Sequence, residues 1–225
     1  MTFIVSVEGN IGSGKSTFLK HLKKYSQNNE KYNIVFVQEP VDEWNNIRDS
    51  TGKNILEMFY ADQEANSFSF QIMAYITRLK KLLDVIKNGE NQLIICERSL
   101  ETDKYVFAKM LYDSKKIREI DWVIYNYWFD TFLEEVETDM TIYINTSSEN
   151  CYNRIKKRSR SGESSIPIEY LQDCQRYHED WLKEININVK TINGNTEITS
   201  EDSYINLVKN TLELIKNRYK STASM

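Results

Sequence analysis

The sequence predicts an α/β fold, a five-stranded parallel sheet flanked by helices on both faces, in a single domain over residues 1–225. Three observations carry this. Short apolar runs rich in β-branched residues alternate with longer stretches of helical character, the pattern of parallel strands joined by crossover helices. The first run, Phe3-Ile4-Val5-Ser6-Val7, opens into Gly9-Asn10-Ile11-Gly12-Ser13-Gly14-Lys15-Ser16-Thr17, and Phe18-Leu19-Lys20-His21-Leu22 then reads as a helix. That middle stretch fits G-x-x-x-x-G-K-[ST], the phosphate-binding P-loop, in the strand–loop–helix context it requires. Third, three strands end in reactive groups, namely the P-loop, Glu39 and Glu97-Arg98. In open parallel sheets ligands lie at the carboxyl ends of the strands.

The remaining elements follow in order. The second strand is Tyr32 to Gln38; it ends at Glu39-Pro40-Val41, where the proline holds Glu39 extended. Asn54 to Ala65 has helical character. A longer helix spans about Ser67 to Asn88 and stops at Gly89, with Ile72, Ile76, Leu79, Leu83 and Ile86 as its expected buried stripe. Leu93 to Cys96 forms the third strand, followed by helical segments at Thr102 to Leu111 and Ser114 to Glu137. The fourth strand is Met140 to Ile144. A helix from Ser148 carries the basic run Arg154 to Arg160, and another helix starts after Ile166-Pro167. Val189 to Ile192 and a helix near Tyr204 to Arg218 complete the chain.

Composition narrows the function classes. A length of 225 residues with 40% hydrophobic content and two prolines describes a globular chain with one large core. A net charge of -4 argues against a nucleic-acid polymer as partner. Cys96, Cys151 and Cys174 are an odd, scattered set without C-x-x-C spacing, which points to a reducing compartment and away from zinc. The first strand begins almost at Met1, leaving no room for a targeting peptide, and no apolar run approaches transmembrane length. A cytoplasmic protein without a membrane partner is expected.

The P-loop chemistry is specific. Gly9, Gly12 and Gly14 allow a tight turn that presents N–H groups to phosphate oxygens, and the helix N-terminus adds positive potential. Lys15 is expected on the β- and γ-phosphates and Ser16 on a magnesium ion. A GTPase switch would need N-K-x-D after a strand, whereas Asn145-Thr146-Ser147-Ser148 follows the fourth. Glu39 instead offers a carboxylate that accepts a proton from an attacking hydroxyl. It also reads as a turn glutamate in a salt bridge with Arg98, and the two readings are compatible, because an arginine keeps a carboxylate ionised.

These pieces, with Glu39-Pro40-Val41 and Trp44, Phe70-Gln71, Glu97-Arg98-Ser99, the arginines Arg154, Arg158 and Arg160 with Glu163, and Ile166-Pro167-Ile168-Glu169-Tyr170-Leu171, run in one order over most of the chain. Together they resemble the deoxynucleoside kinases, in particular the deoxycytidine and deoxyguanosine kinases. The resemblance implies a P-loop kinase fold with an arginine-rich lid at about 154–166. The donor would be ATP or another nucleoside triphosphate, with Mg2+, and the acceptor the 5′-hydroxyl of a deoxynucleoside.

By that resemblance Glu39 is the general base, Arg98 lies near the 5′-oxygen and the transferred phosphate, and Glu97 helps Ser16 hold the metal, though Glu97 also reads as a polar strand end. Gln71 pairs with the base edge; its amide has both a donor and an acceptor. Gln71, Ala74 and Arg78 share one helical stripe, which on spacing alone is equally a solvated flank. Asp103 reads without the resemblance as an ordinary acidic residue near a helix N-terminus. With it, Ala74, Arg78 and Asp103 match the deoxycytidine and deoxyguanosine kinases, whereas thymidine-accepting relatives are uncharged at the last two positions. A buried Arg78–Asp103 pair favours cytosine or a purine and takes the space of a thymine methyl. Trp44, Phe70 and Phe107 would wall the base, with Leu56 and Phe59 as lesser candidates, and Tyr60 and Glu163 would bond the sugar 3′-hydroxyl. The basic run has three readings: a nucleic-acid patch, a solvated face, or a lid closing arginines on phosphates; the resemblance selects the lid. It also implies a homodimer, with the aromatic helix Trp122 to Phe132 as contact or as core. The alternatives are a thymidine-type or broad-specificity kinase of the same family, a non-catalytic P-loop nucleotide-binding protein, and a nucleoside monophosphate kinase.

Overall fold

The computed structural model describes residues 2–27, 32–90, 92–158, 163, 166–185, 187–195 and 201–223. Five strands form one parallel sheet: β1 (Phe3–Glu8), β2 (Asn33–Val37), β3 (Gln92–Glu97), β4 (Met140–Asn145) and β5 (Asn188–Asn193), in the order β2-β3-β1-β4-β5. Every pairing is parallel; Val5 lies opposite Ile95 in β3 and Met140 in β4. β1 and β3 are buried along their whole length, which is why they read as continuous apolar runs rather than alternating ones. β5 is an edge strand with only Ile192 buried.

Helices cover both faces. On one, Phe3, Val5 and Val7 pack with Phe18, Leu19 and Leu22 of α1 (Lys15–Ser26) and with Val208, Leu212 and Ile215 of α10 (Glu201–Ala223). On the other, Ile4, Ile94 and Cys96 meet Tyr75, Leu79 and Leu82 of α4 (Gln63–Lys87) and Tyr125 and Phe129 of α7 (Glu119–Phe132). Burying a side chain such as Leu82 or Phe129 contributes roughly 1.5–3 kcal/mol. α8 (Ser148–Arg158) and α9 (Ile168–Glu184) pack beside the P-loop end of the sheet.

Several expectations need correction. The helix expected at 54–65 is α3 (Ile55–Ala61), opened by a capping box in which Asn54 and Glu57 satisfy each other's amides. It stops at Asp62, which caps α4 by accepting the Ala65 N–H at 3.1 Å. A short α2 (Val41–Asn46), for which no element was expected, follows Pro40. Of the predicted α4 stripe, Leu79 is buried and Ile72, Leu83 and Ile86 pack against the core, but Ile76 is 48% exposed; Ser67, Phe70, Gln71, Ala74 and Arg78 are also buried. The segment after β3 is α5 (Leu100–Thr102), a π-helical stretch over Asp103–Ala108 and α6 (Lys109–Asp113), one winding path with a wide turn in its middle. The helix expected from Ser114 begins only at Glu119, after a turn in which Lys115 takes φ 63.

Candidate active site

The carboxyl ends of β1, β2 and β3 converge on a cavity of about 440 Å³. It is lined from one end by Ile11, Gly12, Gly14, Lys15, Ser16 and Thr17, from the other by Trp44, Leu56, Phe70, Gln71 and Ala74, with Glu39, Arg78, Glu97, Arg98 and Asp103 between them. Phe107, Tyr60, Arg154, Arg158 and Glu163 complete it, so most of the predicted site residues meet here. Arg160 lies outside the described residues. Gly9, Asn10 and Ser13 belong to the loop but are not among the residues lining the cavity, and Phe59 is fully buried core, stacked on Phe70 with ring centroids 4.6 Å apart.

The loop geometry explains its glycines. Gly12 has φ +78, and a Cβ there would stand 2.7 Å from the Cys151 carbonyl oxygen of α8. Lys15 Nζ donates to the carbonyls of Gly9 at 3.0 Å and Asn10 at 2.8 Å. Burial, helped by the Arg98 charge, pulls the Lys15 ammonium down to about 8 against the opposing pull of Glu97 and Glu39. The Asn10 amide ties the loop to the Leu171 carbonyl of α9. Arg154 bonds the Ser13 carbonyl at 3.0 Å and the Gly194 carbonyl at 2.7 Å, joining P-loop, α8 and the segment after β5.

At the centre is a charge network. Glu39 Oε1 accepts from Arg98 Nη1 at 2.6 Å and from Arg78 Nη2 at 3.1 Å. Burial opposes the Glu39 charge, but Arg98, Arg78 and Lys15 together outweigh it and bring the carboxyl down to about 2. The expected Glu39–Arg98 pair is therefore present, and the second arginine on Glu39 is one the sequence did not disclose. Arg78 also donates Nε and Nη2 to Asp103 at 2.8 and 3.3 Å and Nη1 to the Glu97 carbonyl at 2.7 Å. Burial works against the Arg78 charge, yet Asp103 and Glu39 on either side raise it above the ordinary arginine range. The π-helical stretch puts Asp103 and Phe107 on the cavity side together. The Arg98 guanidinium lies over the Phe107 ring, 5.0 Å from its centroid. Arg98 itself adopts φ 63, a backbone state costing about 1–3 kcal/mol in a non-glycine residue.

Ser16 Oγ donates to Glu97 Oε1 at 2.6 Å. Two adjacent hard oxygen donors beside a phosphate loop suit Mg2+, which takes few protein ligands and keeps waters and phosphates for the rest. Arg158 pairs with Glu163, and burial together with the nearby Glu163 charge pushes the Tyr60 hydroxyl well up. Tyr170, quoted only as part of the Ile166–Leu171 motif and given no site role, also lines the cavity, with its ring edge-on to Tyr60 and Phe59.

A family model for deoxynucleoside kinases matches residues 5–216. The chain belongs to the deoxynucleoside kinase family. It is 37% identical over 198 residues to deoxycytidine kinase 1 of Xenopus laevis, covering 79% of this chain and 73% of the relative. With deoxycytidine kinase of Homo sapiens it shares 34% over 237 residues, 96% of this chain and 86% of that protein. The mitochondrial thymidine kinase 2 of Homo sapiens is 34% identical over 181 residues, 80% of this chain and 64% of the relative. This deoxynucleoside kinase therefore shares its family with proteins named for both pyrimidine bases. A P-loop and a parallel sheet are what such a kinase requires, and its phosphate donor is a nucleotide.

Proposed function

We propose that this kinase transfers the γ-phosphoryl group of ATP, or another nucleoside triphosphate, to the 5′-hydroxyl of deoxycytidine or a purine deoxynucleoside in preference to thymidine. The observation that carries this is the network Glu39–Arg78–Asp103, which links a hydroxyl-facing carboxylate to a charged base-facing pair in one cavity. Glu39 orients the 5′-hydroxyl and takes its proton as the bond to phosphorus forms. A carboxyl held at about 2 is a weak base, which suits a loose phosphoryl-transfer step whose nucleophile loses its proton late. Lys15, Arg98 and the lid arginines Arg154, Arg158 and Arg160 bear on the charge of the phosphoryl oxygens. Ser16 and Glu97 would hold Mg2+, which supplies charge neutralisation between the phosphates when bound. Gln71 and the Arg78–Asp103 pair read the base edge, Trp44, Phe70, Leu56, Ala74 and Phe107 enclose the ring, and Tyr60 with Glu163 holds the 3′-hydroxyl.

The test is ADP formation with magnesium-ATP and each of the four deoxynucleosides, with Glu39→Gln in parallel. Turnover strongest with deoxycytidine or a purine, and lower in the variant by about 10²–10⁴-fold, is expected. Preference for thymidine would refute the base assignment, and ATP binding without nucleoside-dependent turnover would favour a binding protein.

The same reading includes a homodimer in the cytoplasm. Ile120, Val123, Ile124 and Tyr127 recur at helical spacing on α7 and stand 58, 56, 40 and 72% exposed, with Ile76 of α4 also exposed. A stripe of that size supports a helix-to-helix contact with a second copy. No helix among the described residues is long and apolar enough to cross a membrane. Light scattering of Val123→Asp/Tyr127→Lys against wild type decides it: a halved mass is expected, and an unchanged mass refutes this face.

A further inference from the structure

Glu8, the last residue of β1, is fully buried and has no part in the chemistry above. Its Oε1 accepts the backbone N–H of Ser99 at 2.9 Å, and its Oε2 has no hydrogen-bond partner among the described residues. One residue earlier, the Val7 carbonyl accepts the N–H of Arg98 at 3.1 Å. The end of β1 thus holds two successive amides of the turn leaving β3, the turn in which Arg98 takes its left-handed φ. A non-glycine residue stays in that state only where its surroundings over-determine it. From there Arg98 reaches Glu39 at 2.6 Å and lies over Phe107. Ser99, held by Glu8, is in turn the N-cap of the helical path that carries Asp103 and Phe107; its Oγ accepts the Thr102 N–H at 3.2 Å.

We infer that Glu8 is a positioning residue for phosphoryl transfer: its carboxyl oxygen holds the Ser99 amide and so aims Arg98 at Glu39 and the reacting phosphate. The inference rests on the kinase reading for its kinetic consequence, but the bond it invokes is independent of that reading. What the position needs is an acceptor oxygen at the reach of a glutamate side chain. The negative charge is not the requirement.

Two variants separate reach from charge. Glu8→Gln keeps an acceptor at the same reach and removes the charge. Glu8→Asp keeps the charge and withdraws the oxygen by one methylene. Expected is kcat close to wild type for Glu8→Gln and a loss on the order of 100-fold for Glu8→Asp, the scale of an ångström-sized misplacement at a reacting centre. KM for ATP should stay unchanged in both, because the P-loop amides are untouched. Adding Glu8→Asp to Arg98→Ala should slow the enzyme no further, since the first change acts through the second residue. Backbone amide exchange of the Glu97-Arg98-Ser99 peptide, read by mass spectrometry, should be slow in wild type and Glu8→Gln and fast in Glu8→Asp. This last readout does not need turnover, so it stands even if the kinase reading fails. The inference is overturned by an active Glu8→Asp with slow exchange, by an inactive but folded Glu8→Gln, by an ATP KM that rises with the loss of kcat, or by losses that multiply in the double variant. If Glu8→Asp does not fold, Glu8→Gln alone decides.

Discussion

Replacing Arg78 by methionine asks whether the base pocket is organised by a buried ion pair. Arg78 and Asp103 are each 2% exposed. The guanidinium stands between two carboxylates, 2.8 Å from Asp103 and 3.1 Å from Glu39, and caps the Glu97 carbonyl at 2.7 Å. Arg78→Met leaves Asp103 buried without a cation, and stranding one member of a buried pair costs about 3–5 kcal/mol. Arg78→Met/Asp103→Ala removes both charges, an exchange that is often neutral or stabilising by about 1–4 kcal/mol. The single variant should therefore unfold at clearly lower urea than wild type, and the double variant should recover most of the loss. Product formation with deoxycytidine and thymidine is measured on the same samples, with the ratio expected to shift toward thymidine in the double variant. Glu39 also loses one of the two arginines that hold its carboxyl down to about 2. Its pKa then rises, and on the proposed role of Glu39 as the base the acid limb of turnover moves to higher pH. A single variant as stable as wild type, or no less stable than the double, would refute the reasoning.

Three further outcomes follow from the donor side. Burial pulls the Lys15 ammonium down to about 8, so ATP affinity should weaken as pH rises through about 8, while Lys15→Gln shows a weak, flat profile; calorimetry from pH 7 upward reads both. Gly12→Ala puts a Cβ 2.7 Å from the Cys151 carbonyl at φ +78 and should lower ATP affinity at least about tenfold, or about 1.4 kcal/mol. Gly52→Ala, at φ +84 with open space around it, is the control that should leave ATP binding alone. Arg154→Ala cuts the link from Ser13 to Gly194 and should raise KM for ATP more than KM for the nucleoside in steady-state kinetics.

How much was legible in the sequence depended on whether the signal was local. The P-loop, Glu39 before Pro40 and Glu97-Arg98 after β3 each sit where a strand ends, and a strand end is a short-range feature. One position of the α4 stripe was misread for the opposite reason. Apolar periodicity assigns the buried face to isoleucines and leucines, and Leu79, Ile72, Leu83 and Ile86 do lie in or against the core, but Gln71 and Arg78 are buried beside them at the cavity while Ile76 is exposed. The π-helical stretch over Asp103–Ala108 left no trace, since a wide turn is set by what packs around it rather than by propensity. The Glu8–Ser99 bond was equally hidden, because it joins residues that only the β1–β3 pairing brings together.

The inner charges of the site also bear on how a triphosphate would be received. Lys15, Arg78 and Arg98 are matched by Glu39, Glu97 and Asp103, three cations against three anions in or beside the cavity. That set is close to neutral on its own, and the mutual attraction and hydrogen bonds of its members offset the large penalty of taking them out of water. It is then ill suited to receive a triphosphate unaided. On the proposed reading the added negative charge would be met from outside the set, by Arg154 at the P-loop edge, by Arg158 beside Glu163, and by the divalent cation that Ser16 and Glu97 would hold. Arg158 pairs with Glu163; on the proposed assignment of Glu163 to the sugar 3′-hydroxyl, a nucleoside that takes up Glu163 would release Arg158 for the phosphates. Acceptor binding would then favour donor binding by a charge transfer of partners. The order is testable: ATP affinity should rise when deoxycytidine is present, and the rise should disappear in Glu163→Gln, where Arg158 is no longer held.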